Sequence, residues 1–522
     1  MRLHAVCQVK FFVVYDFTYL HIHSQVLLTI ILSIIMLDGI IICGIIYCKD
    51  VICMKKFVNR ERELASLEEQ YAADGASLMV VYGRRRVGKT ALINEFIKDK
   101  RAMYFLANEE NKTAGMKSFT EALAEYTEQH YLKSASFDSW KDLFEIFLKY
   151  DQNEKKLLVI DELPYIVNAN PAFPSILQWV WDTWFIDTNI MLILCGSLIH
   201  MMEKHTLNYN SPLYGRRTGQ IKLKQIDFMH YNNFYDDMSY RDLVERYAVT
   251  GGVPKYIELF DGKKNIFEEI ERLVLSPSGL LFEEPEFLLR REIEEVGSYF
   301  SIIKSIAAGN HKPGKICADI GIKQTSLPKY MKTLIDLDIL EREVPVTESN
   351  LEKSKMSLYR IKDNFLRFWF RFVYPERGRL ELGQSGYVLE RIKSNFIDNH
   401  VAYTYENVCR SELWRLAFTG ELQFNKLGRW WNSKAEIDVV AFDSIGDDIV
   451  FAECKYTSEP MNTDVFFDLL VKKKQVVWNN EKRREKFVLF SIGGFTERLL
   501  ALAGDRDDLL LVGGDDTRFT TH

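Results

Sequence analysis

Short, uniformly apolar runs alternate with amphipathic stretches through the first half of the chain. Three of these runs contain LMVVY from Leu78, LLVI from Leu157 and MLILC from Met191. Runs without polar interruptions are typical of strands that are buried on both faces of a sheet. Their alternation with helical stretches predicts an α/β fold with a parallel sheet and with the ligand at the carboxyl ends of the strands.

The first apolar run leads into a glycine-bounded loop and then into an amphipathic helix. Residues 83–90, GRRRVGKT, match the pattern GxxxxGK followed by Ser or Thr. Backbone N–H groups of such a loop turn towards phosphates, the lysine reaches the β- and γ-phosphates, and the last hydroxyl binds Mg²⁺. The sequence therefore predicts an ATP and Mg²⁺ site, with a catalytic lysine, formed by Gly83, Arg84, Arg85, Arg86, Val87, Gly88, Lys89, Thr90 and Ala91.

The second and third apolar runs end in polar residues. Asp161 follows the second run and suits the Mg²⁺ shell, while Glu162 is expected to polarise the attacking water. Ser197 follows the third run and is placed like a polar sensor of the γ-phosphate. A merely solvated charged pair is the alternative interpretation of Asp161 and Glu162.

A pair of arginines, Arg216 and Arg217, follows a loop and precedes a strand-like run. One of them is expected to neutralise transition-state charge, as an arginine finger does. A surface ion pair or a subunit contact is an alternative of equal weight. The segment from Thr250 to Phe260 then begins a helical region that is expected to serve as a lid.

From Tyr299 the pattern changes to short amphipathic segments. SYFSIIKSIAAGN, KICADIGI and TSLPKYMKTLIDLDIL predict three helices, and EREVPVTE and KSKMSLYRIKD predict the two strands of a wing. A winged helix of this kind places its third helix in a groove of DNA. The residues expected to face that groove are Lys323, Gln324, Ser326 and Lys329. A winged helix that only separates two protein domains is the alternative.

Two strand-like segments near the C-terminus, EIDVVAF and DIVFAECKY, are joined by a polar turn. By strand alternation, antiparallel pairing through the turn would bring Asp438, Glu453 and Lys455 together. Two carboxylates bind Mg²⁺, which polarises a scissile phosphate and lowers the pKa of a bound water. Lys455 is expected to orient that water, and Glu406 on the preceding helix to complete the metal shell.

Alternatives stay open for this C-terminal region. Charged residues on an exposed hairpin are common, and a domain that binds without cutting has the same weight as active cleavage. A basic group flanks the following helix and either follows a phosphate backbone or is a solvated charged face. Its members are Lys472, Lys473, Lys474, Lys482, Arg483 and Arg484.

Composition and charge change this picture only in part. Hydrophobic residues make up 47% of the 522 residues and charged residues 27%, which is typical of globular domains. The net charge of −6 means that any contact with nucleic acid depends on local basic surfaces. Eight cysteines without a CxxC pair exclude a disulfide framework and indicate a reduced, cytoplasmic protein.

The first 54 residues have a different texture. Val26 to Cys48 is apolar enough and long enough to cross a bilayer, although Asp38 lies inside it. If this segment inserts, the basic residues that follow it keep the C-terminal part in the cytoplasm. The alternative is an overextended start, with the true chain beginning at Met54.

The motifs together resemble a known family. FVNRERELASLEEQ, the phosphate-binding loop, VIDEL, CGS, PLYGRRTG and GGVPKYI are similar to the archaeal-type ATPases among the AAA+/STAND-like P-loop ATPases. The resemblance implies that Asn59, Arg60 and Glu61 lie near the adenine, and a homo-oligomer is one expected state. The C-terminal region resembles the PD-(D/E)XK nuclease superfamily, with Ile437 in place of the motif's proline.

These observations predict a multidomain α/β protein. After the leader, 1–54, we expect a P-loop ATPase core over 55–225, a helical lid over 226–295 and a winged helix over 296–362. A linker helix, 363–395, begins with the aromatic DNFLRFWFRF, which we expect to be buried between domains. A restriction-endonuclease-like domain follows over 396–522. The leading hypothesis is an ATP-dependent enzyme that acts on DNA, and the second is a nucleotide-switched DNA-binding regulator or scaffold that does not cut.

Overall fold

A computed structural model describes residues 57–150, 155–293 and 295–514 of the protein. The predicted leader over 1–54 lies outside these ranges. Among the residues described, no helix has both the length and the apolar character needed to cross a membrane.

The first sheet has five parallel strands in the order β2-β3-β4-β1-β5. The strands are β1 Ser77–Tyr82, β2 Ala102–Leu106, β3 Lys156–Asp161, β4 Ile190–Gly196 and β5 Gly219–Lys222. Every residue of β1, β3 and β4 is buried, because helices cover both faces of the sheet. The predicted parallel sheet is confirmed, and its three central strands are the three apolar runs of the sequence.

Helices connect these strands. They are α1 Glu61–Ala72, α2 Lys89–Ile97, α3 Lys112–Thr127, α4 Trp140–Lys149, α5 Leu163–Ala169, α6 Phe173–Val180 and α7 Ile199–Met202. A helical region follows β5, with α8 Tyr240–Thr250, α9 Pro254–Leu259, α10 Ile266–Ile270 and α11 Glu284–Glu292. Gly251 after α8 and Pro254 at the start of α9 end the first of these helices and begin the second.

Three short helices and a two-stranded antiparallel sheet come next. They are α12 Val296–Ala307, α13 Pro313–Ile320, α14 Leu327–Asp336, β6 Leu340–Glu343 and β7 Leu358–Ile361. The third helix buries Leu327, Met331 and Leu334, which recur at helical spacing and form one apolar face.

The aromatic segment forms α15 Asn364–Phe368 and a π-helical turn, Trp369–Val373. Asp363 begins the helix, since its Oδ1 accepts a hydrogen bond of 2.6 Å from the Leu366 amide. Phe365, Phe368 and Trp369 are almost completely buried. The expectation that this segment is buried is confirmed.

A second, mixed sheet of order β12-β11-β10-β9-β8 follows α16 Arg377–Glu381, α17 Ser385–Phe396 and α18 Ala402–Phe418. Its elements are β8 Lys426–Trp431, β9 Glu436–Phe442, β10 Asp448–Lys455, α19 Thr463–Lys472, β11 Arg484–Ser491, α20 Glu497–Gly504 and β12 Leu509–Gly513. The first three strands pair antiparallel, whereas β11 and β12 run parallel to β10. Both helical crossovers therefore connect parallel strands.

Candidate functional site

The glycine-bounded loop lies between the carboxyl end of β1 and the start of α2. A Cβ atom on Gly83 would lie 2.3 Å from the Leu223 carbonyl oxygen, so only glycine fits this position. Gly88 has a φ of 95° and caps α2, which leaves the N-terminus of that helix open towards the loop. Lys89 Nζ donates to the carbonyl oxygens of Gly83 and Arg84, both at 3.0 Å. The lysine therefore lies inside the loop, as phosphate binding requires.

Oxygen ligands for a divalent cation meet beside this loop. Thr90 Oγ1 donates to Asp161 Oδ2 at 3.1 Å, at the ends of adjacent elements. Tyr104 Oη, from β2, donates to the same carboxylate oxygen at 2.7 Å, and burial and the Asp161 charge raise the pKa of Tyr104. The hydroxyl and the carboxylate fit Mg²⁺, which prefers oxygen ligands. Tyr104 carries no motif signature in the sequence.

Glu162 and Ser197 contact each other at the carboxyl ends of β3 and β4. Both the amide and the Oγ of Ser197 donate to Glu162 Oε2, at 3.0 and 2.9 Å. Glu162 adopts a φ of 57°, an uncommon value for a residue other than glycine. The predicted water-polarising acid and the predicted sensor thus form one hydrogen-bonded pair.

Glu292, at the end of α11, is a site residue that the sequence did not indicate. Its Oε1 accepts from the Ile199 amide at 3.2 Å, just after Ser197, and its Oε2 is buried without a hydrogen-bond partner. Burial raises the pKa of Glu292 to about 7. The carboxyl lines a small cavity together with Arg84, Arg85 and Ser197. A carboxyl group whose pKa is close to neutral pH therefore lies beside the predicted position of the γ-phosphate.

The arginines of the loop connect it to two other parts of the chain. Arg84 Nη1 donates to Asp363 Oδ2 at 2.6 Å, and both side chains are buried. Burial acts to lower the pKa of Arg84, but the charge and hydrogen bond of Asp363, together with Tyr256 and Asp338 nearby, raise it above its usual range. Gln225 Nε2 donates to the same oxygen of Asp363 at 2.5 Å. Arg86 pairs with Glu284 of α11 at 3.0 Å.

A second cavity, of about 330 Å³, adjoins the loop and shares Arg84 with the cavity at Glu292. Its walls include Val87, Tyr247 and Asn364. Arg60 borders this region, since its Nη2 donates to the Lys224 and Val87 carbonyl oxygens at 2.7 and 3.2 Å. The size suits a nucleoside. Arg60, which the family resemblance predicts to lie near the adenine, borders this cavity, but its guanidinium binds backbone oxygens.

Arg216 and Arg217 do not lie at this site. They precede β5, and the Thr218 amide next to them donates to the Leu78 carbonyl at 2.8 Å, near the amino end of β1. The loop follows the other end of β1, five residues on, roughly 16 Å away at the usual rise of a strand. Arg216 forms a two-pronged ion pair with Asp182, at 2.7 and 2.6 Å. Neither arginine therefore lies near the phosphate-binding loop of its own chain, so the arginine-finger prediction can apply only to the site of a second copy. The contact of Arg216 fits the alternative of a surface ion pair.

The second sheet brings two predicted carboxylates together. The antiparallel register of β9 and β10 ends with Ala452 opposite Val439, and the next residues along are Glu453 and Asp438. Asp438 Oδ2 accepts a hydrogen bond of 2.9 Å from the Cys454 amide. Burial and the Asp438 charge raise the pKa of Glu453 to about 8.

Two lysines approach this carboxylate pair. Lys472 Nζ, at the end of α19, donates to Glu453 Oε1 at 2.8 Å, whereas Lys455 Nζ is 4.0 Å from Glu453 Oε2 and almost half exposed. Burial opposes the charge of Lys472, but the bond to Glu453 raises its pKa to about 12. The sequence placed Lys472 in a basic surface group and missed this contact.

Glu406 does not join the pair. It forms an ion pair with Arg429 of β8, which also holds Glu436 at 2.5 Å. Over the ranges described, no group of three acidic, histidine or cysteine side chains is arranged to hold a metal ion. A metal in this sheet would therefore rest on Asp438 and Glu453 alone among the predicted ligands.

The two groups of residues expected to contact DNA differ in their exposure and in their ion pairs. The four residues predicted to face a groove, Lys323, Gln324, Ser326 and Lys329, are all exposed. In the basic group of the second sheet, four members are engaged in ion pairs. These are Lys472 with Glu453, Lys473 and Arg483 with Glu485, and Arg484 with Asp448. The start of α14 is thus the better candidate for a nucleic-acid surface.

Comparisons with known proteins agree with the first site. The family described as an ATPase domain predominantly from Archaea matches residues 57–260, and a family of archaeal and bacterial proteins of unknown function matches residues 369–468. An uncharacterized protein of Methanocaldococcus jannaschii, MJECL04, is 34% identical over 402 residues, covering 77% of this chain and 87% of that protein. An uncharacterized ATP-binding protein of the same organism, MJ0423, is 51% identical over 45 residues, covering 9% of this chain and 76% of that protein.

Solved structures are less similar to this chain than the relatives above. The ORC2 protein of Aeropyrum pernix has 12% identity and a TM-score of 0.39, covering 62% of this chain and 95% of its own. Cdc6p of Pyrobaculum aerophilum has 13% identity and a TM-score of 0.30, covering 65% and 95%. TM-scores this low support no conclusion about the function of this chain. The identity and coverage of the M. jannaschii relative, with the ATPase-domain match, show that this chain belongs to the archaeal-type P-loop ATPase family.

Proposed function

We propose that this protein is an ATP-hydrolysing switch that acts on DNA, with the nucleotide state communicated from the phosphate-binding loop to the C-terminal half. One observation carries the proposal: the buried contact between Arg84 of that loop and Asp363 at the start of α15. The two residues are 279 positions apart in the chain. A group that binds phosphate and a group that anchors the C-terminal half are thus the two ends of one ion pair.

Hydrolysis is supported by the side chains around the loop. Lys89 and the start of α2 would bind the phosphates, and Thr90 and Asp161 would hold Mg²⁺, which supplies charge neutralisation when bound. Glu162 receives both Ser197 hydrogen bonds on Oε2. We infer that Ser197 fixes this carboxylate so that its other oxygen orients the attacking water.

Coupling follows from competition for Arg84. Bound phosphates bring negative charge to the same guanidinium that Asp363 now holds, so nucleotide binding weakens the Asp363 contact. Asn364, the next residue, donates to the Tyr247 carbonyl at 3.0 Å, which ties α15 to α8 as well. A change in the contact of Asp363 therefore affects both the helical region and the C-terminal half. A switch requires contacts of this kind to differ between its two states.

DNA binding is the role proposed for the three helices and hairpin over 296–361. The exposed start of α14 presents two lysines and two neutral polar side chains to solvent, in the manner of a winged helix. Lys353 and Lys355, in the connection between β6 and β7, are also exposed. A spacer between protein domains would not need this basic surface.

The first test of the proposal is ATP turnover. Wild-type protein should release phosphate from ATP in the presence of Mg²⁺, and Lys89→Ala should abolish this release, because the loop loses the cation that reaches the phosphates. Lys98→Ala, which removes a lysine from the same part of the chain just after α2, is the matched control. Turnover at the wild-type rate in Lys89→Ala would overturn the assignment.

DNA cleavage by the second sheet is a second candidate function. It is favoured by the carboxylate pair Asp438 and Glu453, because a buried carboxyl with a pKa raised to about 8 beside another acid fits a divalent cation. When bound, Mg²⁺ would polarise a scissile phosphate. Lys472 or Lys455 would stabilise developing negative charge, and the non-cutting regulator differs only in lacking this step.

The cleavage assay separates these two candidates. Linear, nicked and supercoiled DNA are incubated with Mg²⁺, with and without ATP, using wild type, Glu453→Gln and Lys455→Ala. Cleavage by wild type that is lost in Glu453→Gln supports a nuclease, and Lys472→Ala then identifies which lysine is required. Intact DNA in every wild-type reaction means that the protein is a regulator.

A further inference from the structure

A cavity of about 410 Å³ lies away from both sites discussed so far. It is formed where α12, the aromatic turn Trp369–Val373 and α17 meet. Cavities that bind small organic molecules in proteins have volumes of roughly 300–1,000 Å³. This space, called the junction cavity below, is therefore large enough for such a molecule.

The walls of the junction cavity combine apolar and basic side chains. Phe370, Phe372 and Ile392 supply apolar surface, while Lys304 and Arg371 supply positive charge from two different elements. A third cation, Arg391, already pairs with Glu376, the acid among the lining residues. Glu376 is also held by Arg379 at 3.0 Å.

In the described part of the chain, Lys304 and Arg371 have no carboxylate within ion-pair distance. Lys304 is exposed, whereas Arg371 is partly buried. Arg371 Nη1 donates to the Ala307 carbonyl oxygen at 3.1 Å, its guanidinium lies 5.8 Å from the centre of the Phe372 ring, and burial lowers the pKa of Arg371. A partly buried guanidinium without a counter-charge is costly, and a bound anion would relieve that cost.

We propose that the junction cavity binds a small amphipathic anion. Its carboxylate or phosphate head lies between Lys304 and Arg371, and its aliphatic or aromatic body packs against Phe370, Phe372 and Ile392. The occupant touches α12, which begins the three-helix unit, and α17, which precedes the second sheet. It therefore joins two parts of the C-terminal half, and its binding requires neither ATP nor DNA.

The probe for this site is 8-anilinonaphthalene-1-sulfonate, an aromatic anion whose fluorescence rises in apolar surroundings. The full chain is titrated with the probe at low salt, and decanoate, decyl phosphate and uncharged decanol are tested as competitors. Lys304→Gln removes one charge from the cavity. Lys393→Gln removes the same charge from α17 outside the cavity and is the matched control. Ala308→Trp fills the space and retains every charge.

We expect one saturable site whose Kd rises about tenfold in Lys304→Gln, equivalent to one charge-assisted hydrogen bond. Lys393→Gln should match the wild type, and Ala308→Trp should abolish the site. Decanoate or decyl phosphate should displace the probe, and the stronger of the two identifies the head group, whereas decanol should not displace it. Absence of saturable binding, equal Kd values in Lys304→Gln and Lys393→Gln, or displacement by decanol would each overturn the proposal.

Discussion

Replacing Asp363 with asparagine changes one charge at the contact between the phosphate-binding loop and the C-terminal half. The asparagine side chain retains the oxygen that accepts from the Leu366 amide, so the start of α15 is preserved. What is lost is the carboxylate that holds Arg84 at 2.6 Å. Arg84 is then available to the phosphates of a bound nucleotide, and we expect ATP to bind more tightly.

The size of this effect follows from the geometry of the pair. Two unit charges at 2.6 Å attract by roughly 6 kcal/mol at an effective dielectric constant of about 20. Measured coupling energies of close charge pairs run from about 1.5 to 7 kcal/mol, because desolvation offsets much of the attraction. The lower bound already corresponds to slightly more than a tenfold decrease in the Kd for ATP.

The assay is a calorimetric titration of wild type and Asp363→Asn with a non-hydrolysable ATP analogue and Mg²⁺. Asp398→Asn is the matched control. Asp398 is exposed in the C-terminal half and lines neither cavity beside the loop. The control removes the same charge away from the site and should bind ATP like wild type.

A double-mutant cycle closes this test. In an Arg84→Gln background, Asp363→Asn should change the Kd for ATP by less than twofold, because the contact is already absent. The reasoning is refuted if Asp363→Asn binds ATP as wild type does, or more weakly. It is equally refuted if the same tightening occurs in the Arg84→Gln background.

Three further predictions concern Glu292, Glu453 and Lys329. Glu292 has a pKa of about 7 and loses its proton as the pH rises. The affinity of wild type for ATP should therefore fall between pH 6 and 8, and it should fall less in Glu292→Gln. Parallel pH profiles of the two proteins would contradict this. If Mg²⁺ binds between Asp438 and Glu453, it must displace the proton of Glu453, so the affinity of the second sheet for Mg²⁺ should rise as the pH approaches 8 and level off above it. Calorimetry should detect this rise, and its persistence in Glu453→Gln would be the contrary result. Lys329→Ala should lower the salt slope of DNA binding by about one, whereas Lys149→Ala, in the ATPase domain, should leave that slope unchanged.

Local sequence patterns were sufficient for much of the fold. The uniform apolar runs predicted the central strands β1, β3 and β4, because strands buried on both faces have no polar positions. The phosphate-binding loop over 83–90 was predictable from the sequence, because its residues are adjacent in the chain. The hairpin of β9 and β10 brought Asp438 beside Glu453 by alternation and a short turn.

Contacts between distant segments were not predictable in this way. Arg84 and Asp363 are 279 residues apart, and the periodicity of either segment contains no information about the other. Lys472 was predicted to be a surface charge, because the direction of its side chain depends on how α19 packs against β10. The local sequence does not show this packing. The position of Arg216 relative to the loop was not predictable, because a local motif does not show at which end of the strands it lies.

The nucleotide dependence of DNA affinity tests the central claim most directly. Fluorescence anisotropy with a labelled duplex is measured for wild type and Asp363→Asn, each with Mg²⁺ and either ADP or the ATP analogue. The account predicts Kd values for DNA that differ at least tenfold between the two nucleotides in wild type and by less than twofold in Asp363→Asn. Equal Kd values in wild type, or an undiminished difference in Asp363→Asn, would contradict it.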